Sequence, residues 1–339
     1  MLGNRITYIL TAVCVVGMCL VVQVGFAQEK VITLRYSNQF PPGDQNTIIS
    51  EQWCQEVEKR TNGKIKVRHY PVNVLNTQPQ MFDSILTGVI DIGNVMGSAM
   101  KGRFPLMSGL DQVPWNYKSA HQTTKIANAA FAKFKPKELD DVKIMYFHTT
   151  PDGKIHTVKK PVINLEDVRG LKMRVWDSHG DILKSYGAVT VMIPQVDLYD
   201  GLSKGIVDGV TSVYQALQMW KTADFLKYST ELKGALWVGN FFVAMNKDKW
   251  NTIPPAEQKI IEQINQEWVD KHGPLWDKLE KEGKDYAIKA GVKVTVLSAE
   301  EQAKWDAKAE PLFDKYVKQM KEKNLPGEEM IKFVRDNLK

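Results

Sequence analysis

Cysteine is nearly absent from this chain of 339 residues, and where the three cysteines fall matters more than their number. Cys14 and Cys19 lie in the apolar N-terminal stretch, which leaves Cys54 alone in the remainder and excludes an internal disulfide there. A disulfide-stapled small domain is therefore ruled out, and a fold held by a large core is required. Catalytic signatures are missing too. The sequence has no Gly-x-Ser-x-Gly, no His-Glu-x-x-His, no phosphate-cradling glycine loop and no Gly-x-Gly-x-x-Gly after a strand. Six histidines are scattered without metal-ligand spacing, so no metal or other cofactor is expected. Strong charge of one sign is lacking as well. Dropping Arg5 with the leader leaves 44 basic against 39 acidic residues, a net charge of 44 − 39 = +5, interleaved without a basic stripe, which argues against nucleic acid as a partner.

What is present begins with a leader. Arg5 precedes the apolar run Ile6 to Val24, and Gly25-Phe26-Ala27 offers small residues to a signal peptidase. Residues 1–27 are expected to be a signal peptide cleaved after Ala27, which sends the mature chain to the periplasm. A retained anchor is the competing reading, because the run is long enough to span a bilayer.

Strands and helices then alternate. Val31–Ser37, Lys64–Tyr70 and a strand opening at Val89 are separated by a helix around Cys54, N-capped by Asp44, and by a helix over 78–87. Strands at 143–148, 172–176, 189–193 and 209–213 repeat the pattern with helices near 180–186 and 196–204. Trp237–Met245 is an apolar strand long enough to cross between lobes. Pro254-Pro255 opens a very long helix with a kink expected at Gly273-Pro274, and Ser298 to Glu301 resembles a capping box for a helix reaching about Lys323. The expected class is α/β with mostly parallel sheets in two lobes, the long helix bracing both or forming a dimer surface. Residues 28–151 with about 240–275 make the first lobe, and 152–239 with about 276–339 the second.

Arg174 is the centre of the chemistry. It sits in a short apolar strand, and a guanidinium there needs an anionic partner, since an unpaired buried charge is costly. The partner is either a protein carboxylate, Asp177 or Asp208, or a ligand. Strand ends facing a cleft add Asn38, Gln39, Ser98 and Asn240 as polar candidates and Trp237 as a wall. His179 either contacts ligand or begins a helix. His148 reads as core and His156 as surface.

The run Lys160-Pro161-Val162 through Asp167-Val168-Arg169-Gly170-Leu171-Lys172-Met173-Arg174-Val175 supplies a resemblance. So do Tyr36-Ser37-Asn38, Ile85 to Ile92, Gly187-Ala188 and Val207-Asp208-Gly209. Over nearly the whole mature chain the sequence resembles the solute-binding subunits of tripartite ATP-independent periplasmic (TRAP) transporters, of the dicarboxylate-binding-protein type. The resemblance implies a two-lobed periplasmic binding protein of type II-like architecture. It implies no enzymatic step, a small carboxylate ligand held by Arg174, and delivery to the transporter's membrane subunits. A second basic contact of some members falls on Lys154, which is otherwise a solvated turn residue. The proline common after the arginine–valine pair is Trp176 here, either a wall for an apolar or aromatic acid or plain core. The family's asparagine is replaced by Ser212, with Tyr214 two positions on. A monocarboxylate is expected over a dicarboxylate, and a monomer over a homodimer. A periplasmic lyase or isomerase on the same scaffold, or a ligand-binding subunit for a sensor, are the alternative readings.

Overall fold

In the computed structural model, residues 31–339 are described, and the expected signal peptide lies outside them. Two sheets organise the chain. The first contains β1 (Ile32–Ser37), β2 (Ile65–Tyr70), β3 (Ile92–Met96), β4 (Val142–Asp152) and β10 (Val238–Asn246) in the order β2-β1-β3-β10-β4. The second contains β5 (Lys154–Thr157), β6 (Lys172–Arg174), β7 (Val189–Val191), β8 (Gly209–Ser212), β9 (Tyr228–Glu231) and β11 (Lys293–Val296) in the order β11-β9-β5-β8-β6-β7. The chain passes between them directly from β4 to β5 through Gly153 and from β9 to β10, and a third time from β10 to β11 through the helix Pro255–Lys289.

The two direct passages explain why the sheets are mixed rather than mostly parallel. The strands joined by helices, β1 with β2 and β3, and β6 with β7 and β8, are parallel. The strands they deliver run against their neighbours: β10 against β3 and β4, and β5 against β8 and β9. Parallel pairs need a helical crossover, whereas a strand arriving from the other sheet has no such constraint.

Each sheet carries its own apolar cores. Trp53, Val57, Ile261 and Trp268 pack on one side of the first sheet, and Phe82, Phe104, Phe147 and Phe242 on the other. Cys54 is buried here, and desolvation pushes its thiol far above the ordinary range, the state of an inert packing residue. Asp44 caps the helix Gln45–Arg60 as its position suggested, accepting from Asn46 N at 2.8 Å.

The helix Pro255–Lys289 runs along both sheets, with Ile261 and Trp268 in a core of the first and Ala287 in a core of the second. It remains helical through Pro274. Gly273 has a packing reason: a Cβ there would lie 2.7 Å from His121 Cα, so only glycine lets the helix Ala120–Phe134 come this close. Asp277, one turn on, accepts from the first amides of that helix, Ala120 N at 2.7 Å and His121 N at 3.1 Å.

Two C-terminal expectations need correction. The helix after Ser298 stops at Ala309, and a separate one, Pro311–Glu322, follows. Only half of the capping box forms, because Glu301 Oε1 accepts from Leu165 N at 2.6 Å instead of reaching back to residue 298. The lobe division also differs. Trp305 packs in the core of the second sheet, but Tyr316, Met320, Met330 and Val334 return to the first. Their apolar faces cover Leu106, Leu110 and Trp115, a surface the first sheet's own helices leave open. Among the described residues no helix is long and apolar enough to cross a membrane.

Candidate functional site

A cavity of about 330 Å³ opens where the two sheets face one another. It lies at the C-terminal ends of the parallel strands β1, β3, β6 and β8, the position at which α/β layers ordinarily bind ligands. Its size falls in the lower range of small-molecule sites, roughly 300 to 1,000 Å³.

Strand β6 brings Arg174 to this cavity by simple alternation. Lys172 is exposed, Met173 enters the core of the second sheet, and Arg174 turns to the opposite face, only 2% exposed. Its Nε donates to Ile193 O at 2.9 Å, and its guanidinium lies 4.7 Å from the ring centre of Trp176. No carboxylate meets it. Among the described residues Arg174 forms no ion pair, and its Nη2 has no hydrogen-bond partner. Asp208, one of the internal partners considered, instead accepts from Lys172 N at 2.9 Å. Desolvation alone lowers the Arg174 pKa from the ordinary guanidinium range to about 9. A buried cation without a counter-charge is costly, and an anion beside it would offset that cost.

Much of the remaining apolar wall is aromatic or methionine. Phe40, Trp176, Trp237, Phe241 and Trp276 line it, with Met96, Met192 and Met219 filling between them. Phe241 stacks near-parallel to Trp276 at 5.9 Å and to His148 at 5.1 Å. A buried polar chain holds this stack. Gln39 Nε2 donates to Asn94 Oδ1 at 3.3 Å, His148 Nε2 lies 3.3 Å from the same oxygen, and Trp276 Nε1 donates to His148 Nδ1 at 3.0 Å. One tautomer satisfies both contacts of His148, with the proton on Nε2 and a free lone pair on Nδ1. Burial, and then His272 stacked at 3.8 Å, hold the ring neutral.

Five of the sequence-expected residues meet at the cavity: Arg174, Trp176, Ser212, Gln39 and Trp237. The other six do not line it. Lys154 points to the outer face at the passage between sheets, where its Nζ pairs with Glu280 at 2.7 Å and donates to Asp152 O. It is therefore neither a solvated turn residue nor a neighbour of Arg174. Tyr214 packs in a core of the second sheet, edge-on to His156 at 5.3 Å. Asn38 lies one layer behind the wall, where its Oδ1 accepts from Gln39 N at 2.8 Å and orients that residue. Ser98 offers its carbonyl to Ser178 Oγ at 2.8 Å, a bond between the two sheets' layers. His179 is fully buried beneath Trp237, stacked at 4.7 Å and 3.5 Å from Asp111. Asn240 faces a second depression on the opposite side of β10. His156, expected at the surface, is buried, with Nδ1 2.6 Å from Ser229 Oγ and Nε2 3.2 Å from Ser212 O.

Two of these placements, Asn240 and Tyr214, follow from backbone geometry. Side chains alternate along a strand, so being off by one residue places a side chain on the wrong face. On β10 it is Gly239 and Phe241 that line the cavity, not Asn240 between them. The chain leaves β8 at Ser212 and turns into the helix Tyr214–Met219, which sends Tyr214 away and Gln215 toward the cavity. Phe40, Thr150, Gln215 and Trp276 were missed. The strand-end rule that picked Gln39 would have reached Phe40 one residue on, but Trp276 carries no local signal.

Comparison with known proteins agrees with this architecture. The family model described as "Bacterial extracellular solute-binding protein, family 7" matches residues 36–319. A solute-binding protein of Albidiferax ferrireducens is 26% identical over 295 residues, covering 83% of this chain and 84% of that protein. A marine-metagenome TRAP solute-binding protein described as specific for aromatic acids was crystallised with 3-hydroxybenzoate. It superposes with a TM-score of 0.86 at 27% identity, covering 91% of this chain and 98% of that one. An open complex of a TRAP periplasmic solute-binding protein from Desulfovibrio salexigens gives 0.80 at 28% identity, covering 91% and 95%.

Proposed function

The chain belongs to family 7 of the bacterial extracellular solute-binding proteins, and from that premise we propose that it captures a small aromatic monocarboxylate in the periplasm and hands it to TRAP membrane subunits. One observation carries the reading: Arg174 Nη2 is a buried, unpartnered donor on a cationic group that lines a cavity walled by aromatic rings. A carboxylate there accepts from the guanidinium, and the pair is worth more than it would be in water because the site is dry. The ligand charge raises the Arg174 pKa back toward its ordinary value, so binding and ionisation favour each other.

Among the described residues one buried cation lines the cavity, which favours one carboxylate over two. The remaining surface suits a flat apolar body stacked among Trp176, Phe241 and Trp276. The marine-metagenome relative, described as specific for aromatic acids, points the same way. Closure of the lobes expels water from around the pair, and the ligand stabilises the closed form by binding it better than the open one. No covalent step is involved.

The test is to denature the purified protein and identify any released small molecule by mass spectrometry, with Arg174→Gln prepared in parallel. An aromatic acid released by the wild type and missing from the variant is the expected result. An acid released equally by both would remove Arg174 as the anchor.

A further inference from the structure

Arg174 is not the only cavity residue with an unanswered polar atom. Gln215 lines the same cavity, is 4% exposed, and its Oε1 has no hydrogen-bond partner. The two ends of a carboxamide are told apart by their partners. Here the partner decides, because Gln215 Nε2 donates to Asp44 Oδ2 at 2.9 Å while Asp44 Oδ1 accepts from the N and Nδ2 of Asn46. A carboxylate only accepts, so the nitrogen must face Asp44 and the oxygen must point elsewhere. The backbone is held as firmly: Gln215 N donates to Glu280 Oε2 at 3.3 Å, and Gly283 brings the long helix so close that a Cβ would lie 2.5 Å from that nitrogen. The result is a fixed, buried acceptor without a donor. Gln195 Nε2 is a further buried donor without a partner in this wall and can serve the carboxylate beside Arg174, whereas the hydroxyls of the wall are less demanding. Thr150 Oγ1 is satisfied by Pro151 O and Gly239 N, and the hydroxyl of Ser212 can rotate to donate or accept.

We infer that the ligand carries a hydrogen-bond donor, a hydroxyl or an N–H, in addition to its carboxylate, and that Gln215 Oε1 accepts from it. This rests on the carboxylate reading above: unpartnered donors on Arg174 and Gln195 and an unpartnered acceptor on Gln215 suit a ligand with a carboxylate and a separate donor, a hydroxy-substituted aromatic acid being the simplest. Gln215 comes from the second sheet's layer and Asp44 from the first, so the acceptor is oriented only while the lobes are together. Recognition of the donor is thereby tied to closure.

The test is calorimetric titration of ligand-free mature protein with benzoate, the three monohydroxybenzoates and their three methoxy counterparts. One hydroxy isomer is expected to bind about tenfold or more tightly than both benzoate and its own methoxy ether. Gln215→Met should bring that ratio to about one. If every hydroxy isomer binds like its ether, or if Gln215→Met weakens all acids by a common factor, the inference is overturned and Gln215 is only a strut between lobes. Asp44→Asn is the second variant, for use if Gln215→Met does not fold; it keeps Gln215 but frees the amide to turn, and an unchanged hydroxyl preference in it would refute the fixed-acceptor argument. Arg174→Gln on the same acids separates the two readings. Affinity lost for benzoate and hydroxybenzoates alike keeps the carboxylate anchor whatever the hydroxyl result, whereas undiminished benzoate binding removes it. Binding of none of the seven acids overturns both.

Discussion

Replacing Arg174 by methionine should make the ligand-free protein more stable while abolishing its response to ligand. On folding, burial lowers the guanidinium pKa from its ordinary range to about 9. A base with a lowered folded pKa is penalised wherever it is protonated in both states, so the penalty is fully present below about pH 9 and fades as pH rises from there toward the ordinary guanidinium pKa. At 1.36 kcal/mol per pKa unit the penalty is of the order of 5 kcal/mol. Stacking on Trp176 offsets about 0.5 to 2 kcal/mol of it. Methionine has similar length, needs no partner and fills irregular apolar space, but it leaves Ile193 O without its donor, a loss of about 1 kcal/mol or more. The net expectation is a gain of roughly 1 to 3 kcal/mol for the ligand-free variant at pH 7. Denaturant unfolding of both proteins, freed of ligand by dialysis from denaturant, measures this directly. Adding the acid at a hundred times its Kd should then stabilise the wild type by about 2.7 kcal/mol and leave the variant unmoved, so the order of stabilities closes or reverses. A ligand-free variant less stable than the wild type would show that the guanidinium has a structural partner, and the anion-site argument would fail.

Three further predictions use other parts of the molecule. Asp152, beside the passage between the sheets, is held to about pKa 7 by burial, against an ordinary 3.8, with Oδ1 sealed from water. Its folded form binds the proton more tightly, so stability is gained on acidification and lost as pH rises through 7; melting between pH 6 and 8 should show a loss of roughly 1 kcal/mol that Asp152→Asn removes, and a wild type without that slope would refute it. A methyl group at Gly283 would fall 2.5 Å from both Gln215 N and Tyr214 C, so Gly283→Ala should cost about 1 to 3 kcal/mol and weaken acid binding, seen by unfolding and titration; a silent substitution would mean the helix moves freely. Trp176 lines the cavity against Arg174, so binding should change tryptophan emission, and Trp176→Phe should both shrink the signal and lower aromatic-acid affinity about tenfold; equal affinities would make Trp176 a passive core residue.

How much of this was legible beforehand divides along a physical line. Local signals performed well: Asp44 as a cap, Cys54 as packing, the strand–helix alternation, the long helix opened by two prolines. Each depends on a few neighbouring residues and on backbone geometry that tertiary contacts rarely override. The β-strand at 228–231 went unread, and so did the helix at 120–134 although Ser119 caps it by accepting from Gln122 N. Signals that depend on parity were unreliable, as Asn240 and Tyr214 show, because a single residue or a turn sends a side chain to the other face.

By itself, then, the sequence determined the layered α/β class and the place of Arg174. A charged residue in an otherwise apolar strand states its own need for a partner. The amino-acid order could not say whether that partner belonged to the protein. Only the tertiary structure showed where the carboxylates go, by giving Asp208 to Lys172 N, Glu280 to Lys154 and Asp44 to Gln215, with no ion pair to Arg174 among the described residues. It also joined Gln39, Trp176 and Trp276, far apart along the chain, into one wall. Pairing between distant carboxylates and cations depends on sheet order and on where two layers touch, and no local pattern encodes that.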